Sequence, residues 1–253
     1  MIHLYPFMLY PGVVLAHSEF PEDQWSLLSP EGIFCSGRTL FRQEYVALWQ
    51  NGPNGQIFYE AINPPMENQG LVKYRFLMAP GNDVIDIKLT LTNLENQPWK
   101  EVMVDICLMD VRAPHFYDPD YTRTFVVTHK GLSPVAEFLA SPQRPVFRKA
   151  GRTGDSMHFF GPPNTNWIIM PEQVVQNIVI TQSVDRKWTV GFGWEELSMV
   201  ACNSDLAHGC IHADPHLGDI DPGRSVTVAG KIYITAQSPE KVLDRFEMEM
   251  KFT

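Results

Sequence analysis

Hydrophobic and polar positions alternate with a period of two along most of the chain, the spacing that sends successive side chains to opposite faces of a β-strand. In DVIDIKLTLTN, Ile85, Ile87, Leu89 and Leu91 share one face, and Asp86, Lys88, Thr90 and Thr92 share the other. KEVMVDICLMD repeats the pattern, with Val102, Val104, Ile106 and Leu108 predicted inward. Between the two runs NLENQPW carries Asn93, Asn96 and Pro98, turn-forming residues that predict an antiparallel hairpin. RSVTVAGKIYI places Val226, Val228, Ile232 and Ile234 on one face after the turn residues Asp221-Pro222-Gly223. Further strands are predicted at 32–41, 44–50, 56–62, 71–78, 122–129, 174–182 and 187–194.

A helical period shows at the end of the chain. Ser238 is a suitable N-cap and Pro239 a suitable first helical residue, and Val242, Leu243, Phe246 and Met250 then form an apolar stripe. This predicts a closing helix over about 239–250. Twenty prolines and 17 glycines punctuate the strands at short intervals, and no repeat, low-complexity tract or linker divides the chain. The predicted architecture is therefore all-β: one domain over residues 1–253, a large antiparallel two-sheet sandwich with a short C-terminal helix.

Composition narrows the function classes. Hydrophobic residues make up 44% and charged ones 19%, against about 25% charged in average soluble domains, which excludes a disordered chain. Twenty basic and 29 acidic residues leave a net charge of −9, so no nucleic-acid partner is expected. No stretch approaches the roughly 20 apolar residues that span a bilayer, so no membrane partner is expected either. The first twenty residues are apolar, but they lack a basic leading segment and are broken by Pro6 and Pro11, so they read as the start of the fold. The four cysteines (Cys35, Cys107, Cys202, Cys210) are too few for a disulfide scaffold and include no CxxC pair. Reduced thiols and a cytoplasmic location are expected, with Cys107 a buried thiol and Cys202–Cys210 bridged only if the chain between them turns back.

A hairpin of the form Asn-x-x-x-x-Pro-Trp (Asn93 to Trp99), together with a closing strand introduced by Asp221-Pro222-Gly223-Arg224, resembles the galactose-mutarotase-like supersandwich. That group holds aldose epimerases and the carbohydrate-binding domains of polysaccharide lyases and glycoside hydrolases. The resemblance covers roughly residues 30–236 and implies a carbohydrate as partner. The histidine pair and glutamate with which the epimerases work have no position-by-position counterpart in this chain.

Two stretches concentrate chemistry. DLAHGCIHADPHLGDIDPG holds His208, His212 and His216 with Asp205, Asp214, Asp219 and Asp221. If 212–216 is extended, His212, Asp214 and His216 point to one side, a two-imidazole, one-carboxylate set suited to Zn²⁺, Mn²⁺ or Fe²⁺. The same groups serve equally as acid and base around a sugar, or as a polar loop that caps its own backbone. DVRAPHFYDPDYTRT offers Arg112, His115, Tyr117, Asp118, Asp120, Tyr121 and Arg123, rings to stack on a pyranose and charged groups for its hydroxyls. The alternative there is a connection whose tyrosines pack and whose ions pair.

Lower in rank stand His17, Glu19 and Trp25 for the same cleft, His158, and Glu195-Glu196. No GxSxG elbow, Walker loop, GxGxxG or HExxH is present, which removes serine-hydrolase and nucleotide chemistries. The reading is a carbohydrate lyase, epimerase or glycoside-cleaving enzyme. His115 and one of His208, His212 or His216 are its base and acid, Tyr117 or Tyr121 an alternative proton donor, and Arg112, Asp118, Tyr121, Arg123 and Trp25 the substrate contacts. A divalent metal on His212, Asp214 and His216 is the candidate cofactor. The rival reading is a carbohydrate-binding module without turnover, and a third is an assembly subunit that pairs with its own copy through a sheet edge.

Overall fold

The alternating runs form eighteen strands among the residues that the computed structural model describes, namely 1–7, 11–35, 38–42, 48–63, 70–140, 143–152 and 167–251. The first six are β1 (Ile2–Pro6), β2 (Gly12–His17), β3 (Phe20–Cys35), β4 (Arg38–Arg42), β5 (Gln50–Asn51) and β6 (Ile57–Ile62). Next come β7 (Val72–Pro80), β8 (Val84–Asn93), β9 (Trp99–Arg112), β10 (Thr124–Thr128), β11 (Gly131–Pro134) and β12 (Arg144–Arg148). The last are β13 (Trp167–Ile169), β14 (Ile178–Gln182), β15 (Thr189–Trp194), β16 (Leu197–Asn203), β17 (Cys210–Ile220) and β18 (Ser225–Thr235). The helix α1 spans Pro239–Met250, with the Ser238 hydroxyl accepting from the Lys241 N–H as its cap.

Two nine-stranded sheets result. The first runs β1-β2-β3-β9-β17-β16-β12-β13, with β4 also on β3, and the second runs β11-β10-β14-β15-β18-β8-β7-β6-β5. Neighbours are antiparallel except β12 and β13. The inward faces are the ones read from periodicity: Ile85, Ile87, Leu89 and Leu91 from the second sheet pack in one buried cluster with Val102, Val104, Ile106 and Leu108 from the first. The fold class is all-β, a two-sheet antiparallel sandwich with one short C-terminal helix.

One expectation fails. β8 and β9 do not form a hairpin, since β8 pairs with β7 and β18 while β9 pairs with β3 and β17. Each run buries one face, and two such faces can be satisfied side by side or opposite one another across the core. Here they are opposite, and the 93–99 connection is an arch between sheets. Asn93 holds the arch, its amide donating to the Gln97 and Ile220 carbonyls at 2.8 and 2.9 Å while its Oδ1 accepts from the Glu95 N–H at 2.9 Å. The buried Trp99 donates its indole N–H to Glu95 at 2.9 Å. Among the strands missed by periodicity, β2 and β16 are buried on both faces and so read as nearly unbroken apolar runs. The 44–47 part of one predicted strand lies outside the described residues.

The helix covers the outer face of the second sheet, where Val242 and Phe246 pack on Ile178, Ile180 and Tyr233. It can approach because β15 carries Gly191 and Gly193. A Cβ on Gly193 would lie 2.4 Å from the Asn177 carbonyl oxygen and 2.8 Å from the Phe246 ring. Gly193→Ala therefore lowers stability by about 1–3 kcal/mol, the usual cost of overpacking, read as a lower urea midpoint. An unchanged midpoint would show that the helix lifts away freely.

Candidate active site

The outer face of the first sheet is not a solvent face. Leu28, Phe34, Met103, Val146, Met199 and Ala201 are buried there, and a polar cluster sits among them on the adjacent central strands β9 and β17. His212, on β17 opposite Cys107, is buried, and its Nδ1 lies 2.8 Å from Asp105 Oδ1. Its Nε2 lies 3.2 Å from Cys210 Sγ. Asp214, fully buried, accepts the Ile106 N–H at 3.1 Å through Oδ1, and its Oδ2 has no partner. The Trp167 ring stands edge-on to the imidazole, with centroids 6.0 Å apart.

Glu31 completes the cluster: its carboxylate, that of Asp105 and the His212 imidazole each place an atom within 4.8 Å of the others. A regular strand would send Glu31 to the side of Leu27 and Ile33, into the core. The register of β3 against β9 instead shifts between Leu28, opposite Cys107, and Gly32, opposite Asp105, so two extra residues bulge out there. Glu31 thereby joins the outward groups and stays half-buried, the member that water reaches most readily.

Electrostatics follows from this crowding. Burial, then the neighbouring Asp105, pushes the Asp214 carboxyl well above the usual carboxylate range. Burial opposes charge on His212, but Cys210 and Asp105 outweigh it and hold the imidazole well above its ordinary value. Cys210 is lowered to about 5, chiefly by a hydrogen bond from Cys107, whose own thiol is raised in return.

The predicted metal trio does not converge. His212 and Asp214 approach to 3.9 Å, but His216 pairs instead with Glu101 at 3.1 Å. Period two gives one face, yet residues i and i+4 on a strand stand roughly 13 Å apart. His212, Asp214 and His216 share a side without sharing a point, and among the described residues no metal-holding group contains His216.

The polar groups of the 112–123 loop are taken up by hydrogen bonds within the loop and to neighbouring segments. Asp118, buried, accepts the Arg123 N–H at 2.8 Å and the Thr124 hydroxyl at 2.9 Å. Arg123 donates to the Gln182 carbonyl at 2.8 Å and the His115 carbonyl at 3.3 Å. Tyr121, buried and with a φ of 54°, donates to the Gln143 carbonyl at 3.0 Å. Tyr117 is half-buried and donates to the Ser204 carbonyl at 2.9 Å. Trp25 is a core residue against Phe116, with centroids 4.9 Å apart, and offers no face to a sugar.

Arg112 and His208 are exposed, the latter in the turn between β16 and β17. His115 is exposed beyond the end of β9 and pairs with buried Asp23 at 2.7 Å, which raises its pKa. Five residues of β9 separate Cys107, opposite His212, from Arg112, about 17 Å of strand. His115 and His212 are thus not brought together. His17 is buried against Phe20, Glu195 accepts the Ala229 N–H, Glu196 pairs with Arg152, and His158 lies outside the described residues.

Sequence reasoning missed Glu31, Asp105 and the two cysteines beside His212. Pro30 inside a strand run was the available signal for Glu31, because proline within a sheet marks bulges. All four cysteines are free and buried, and Cys202 and Cys210 sit in clusters on opposite faces of the sheet. Among the described residues no helix is long and apolar enough to cross a membrane.

No protein-family model matches the chain, and no curated protein matches it. Solved structures do. The Slr1438 protein of Synechocystis sp. PCC 6803 superposes with a TM-score of 0.54 at 7% identity, covering 94% of this chain and 96% of its own. A galactose mutarotase-like protein from Lactobacillus casei ATCC 334 superposes with a TM-score of 0.51 at 9% identity, covering 93% of this chain and all of its own (100%). Over nearly its whole length, the chain has the galactose-mutarotase-like fold.

Proposed function

We propose that the protein is a carbohydrate enzyme of the aldose-epimerase kind that interconverts the anomers of a small sugar by proton transfer at the Glu31–Asp105 pair. The observation that carries this reading is the convergence of two carboxylates and an imidazole within 4.8 Å at the centre of one sheet. Opening a pyranose needs a base to take the O1 proton and an acid to protonate the ring oxygen as the C1–O5 bond breaks. Closing on the other face of the aldehyde reverses both transfers. One carboxyl acts as the base and the other as the acid, and His212 holds Asp105 in place through its Nδ1 contact. The Trp167 ring offers an apolar surface beside them. The likeness of the fold to a galactose mutarotase-like protein favours epimerase over lyase or glycosidase. The four free thiols fit a reducing compartment such as the cytoplasm.

The test is anomer equilibration of freshly dissolved aldoses, followed by polarimetry or saturation-transfer NMR. Catalysed equilibration of one or more hexoses supports the reading. Saturable binding of the same sugars with no acceleration overturns it in favour of a binding module.

A further inference from the structure

We infer that Cys107, Cys210 and His212 form a three-ligand site for a thiophilic metal ion, Zn²⁺ foremost. Their Sγ, Sγ and imidazole nitrogen atoms lie within 4.8 Å of one another on the two central strands of the first sheet. The placement is built in by register: Cys210 and His212 are two apart on β17 and so share a side, and Cys107 stands directly across from His212. Cys210 Sγ to His212 Nε2 is 3.2 Å. In a tetrahedral zinc site, with Zn–S about 2.3 Å and Zn–N about 2.0 Å, the same pair stands about 3.5 Å apart, so this pair needs to open by only a few tenths of an ångström.

The imidazole is oriented for this task. Asp105 takes its Nδ1 at 2.8 Å, the carboxylate–histidine arrangement that directs Nε2 to a metal. Leu28 and Met109 pack around the thiols, an apolar setting that favours sulfur ligation and offers nothing to Mg²⁺ or Ca²⁺, which require oxygen ligands. Three protein ligands leave a fourth position open. The site uses Nε2 and leaves the Nδ1–Asp105 contact intact, so the inference stands independently of the sugar chemistry proposed above.

The test is titration of chelator-stripped protein with Co²⁺, a spectroscopic stand-in for Zn²⁺. One equivalent is expected to give a sulfur-to-cobalt charge-transfer band that Zn²⁺ abolishes. Cys107→Ser and Cys210→Ser each weaken Co²⁺ binding by at least about tenfold and diminish the band. Asp105→Asn weakens it by about 10–100-fold through loss of the orienting hydrogen bond. The Cys35→Ser/Cys202→Ser double variant, which keeps only the two cluster thiols, retains the full band. Absence of the band in the wild type overturns the site whether or not the variants fold. So does a band that survives Cys107→Ser and Cys210→Ser, which would mark an adventitious ion only.

Discussion

Glu31→Gln is expected to reduce anomer equilibration by at least about 10²-fold, the loss typical of a removed general acid or base. Glutamine keeps the length and shape of the side chain and removes only its ability to exchange a proton. Asp105→Asn is expected to cause a similar loss, because it removes the other carboxyl of the pair. The two changes together should cost little more than either alone, since the two carboxyls act as one acid–base unit. Glu31 is half-buried on a bulge, so the variant is expected to fold with an unchanged unfolding midpoint. An active Glu31→Gln enzyme would show that the proton moves elsewhere, and His115 with its Asp23 partner is the next titratable pair to test.

Asp110→Asn is expected to stabilise the protein at pH 8 and to leave it nearly unchanged below pH 4. Asp110 sits near the end of β9, in contact with a small cavity lined by Trp25, Leu108, Phe116 and Ile211, and its Oδ1 has no hydrogen-bond partner. Burial, and then the neighbouring Cys210, raise its pKa from 3.8 to about 7. The native state therefore holds this proton in a range where the unfolded chain has released it. Stability falls as pH rises from about 4 to about 7 and is flat beyond, the sign set by the native state binding more protons. A shift of about three units corresponds to about 4 kcal/mol at its limit, and the partial exposure of the residue reduces this to about 2 kcal/mol. Urea unfolding of both proteins at pH 5 and pH 8 checks it. A variant–wild-type difference that does not grow with pH would show that Asp110 ionises normally.

Both predictions depend on groups that alternation alone does not rank. On β9, period two correctly separates Val102, Val104, Ile106 and Leu108 from Met103, Asp105, Cys107 and Met109. It also makes the second set look like a solvent face, and nothing local says that this face is covered. The distinction between hairpin and arch at 93–99 is hidden for a related reason: the residues that turn a chain within a sheet also turn it between sheets. Which occurs depends on what the far side of each strand must bury.

The sequence by itself determined the elements whose physics is local. These are the alternating strands β7, β8, β9 and β18, the Ser238-capped helix and, through composition, a large core in a chain with few basic residues. Only the tertiary structure decided the pairing of those strands, the partners of the polar groups in the 112–123 loop, the separation of His115 and His216 from His212, and the swing of Glu31 out of the core at a bulge. A strand's own period sets the side on which a residue lies. Its neighbours' register sets what it meets there, and register is the sum of long-range packing that no short stretch of sequence contains.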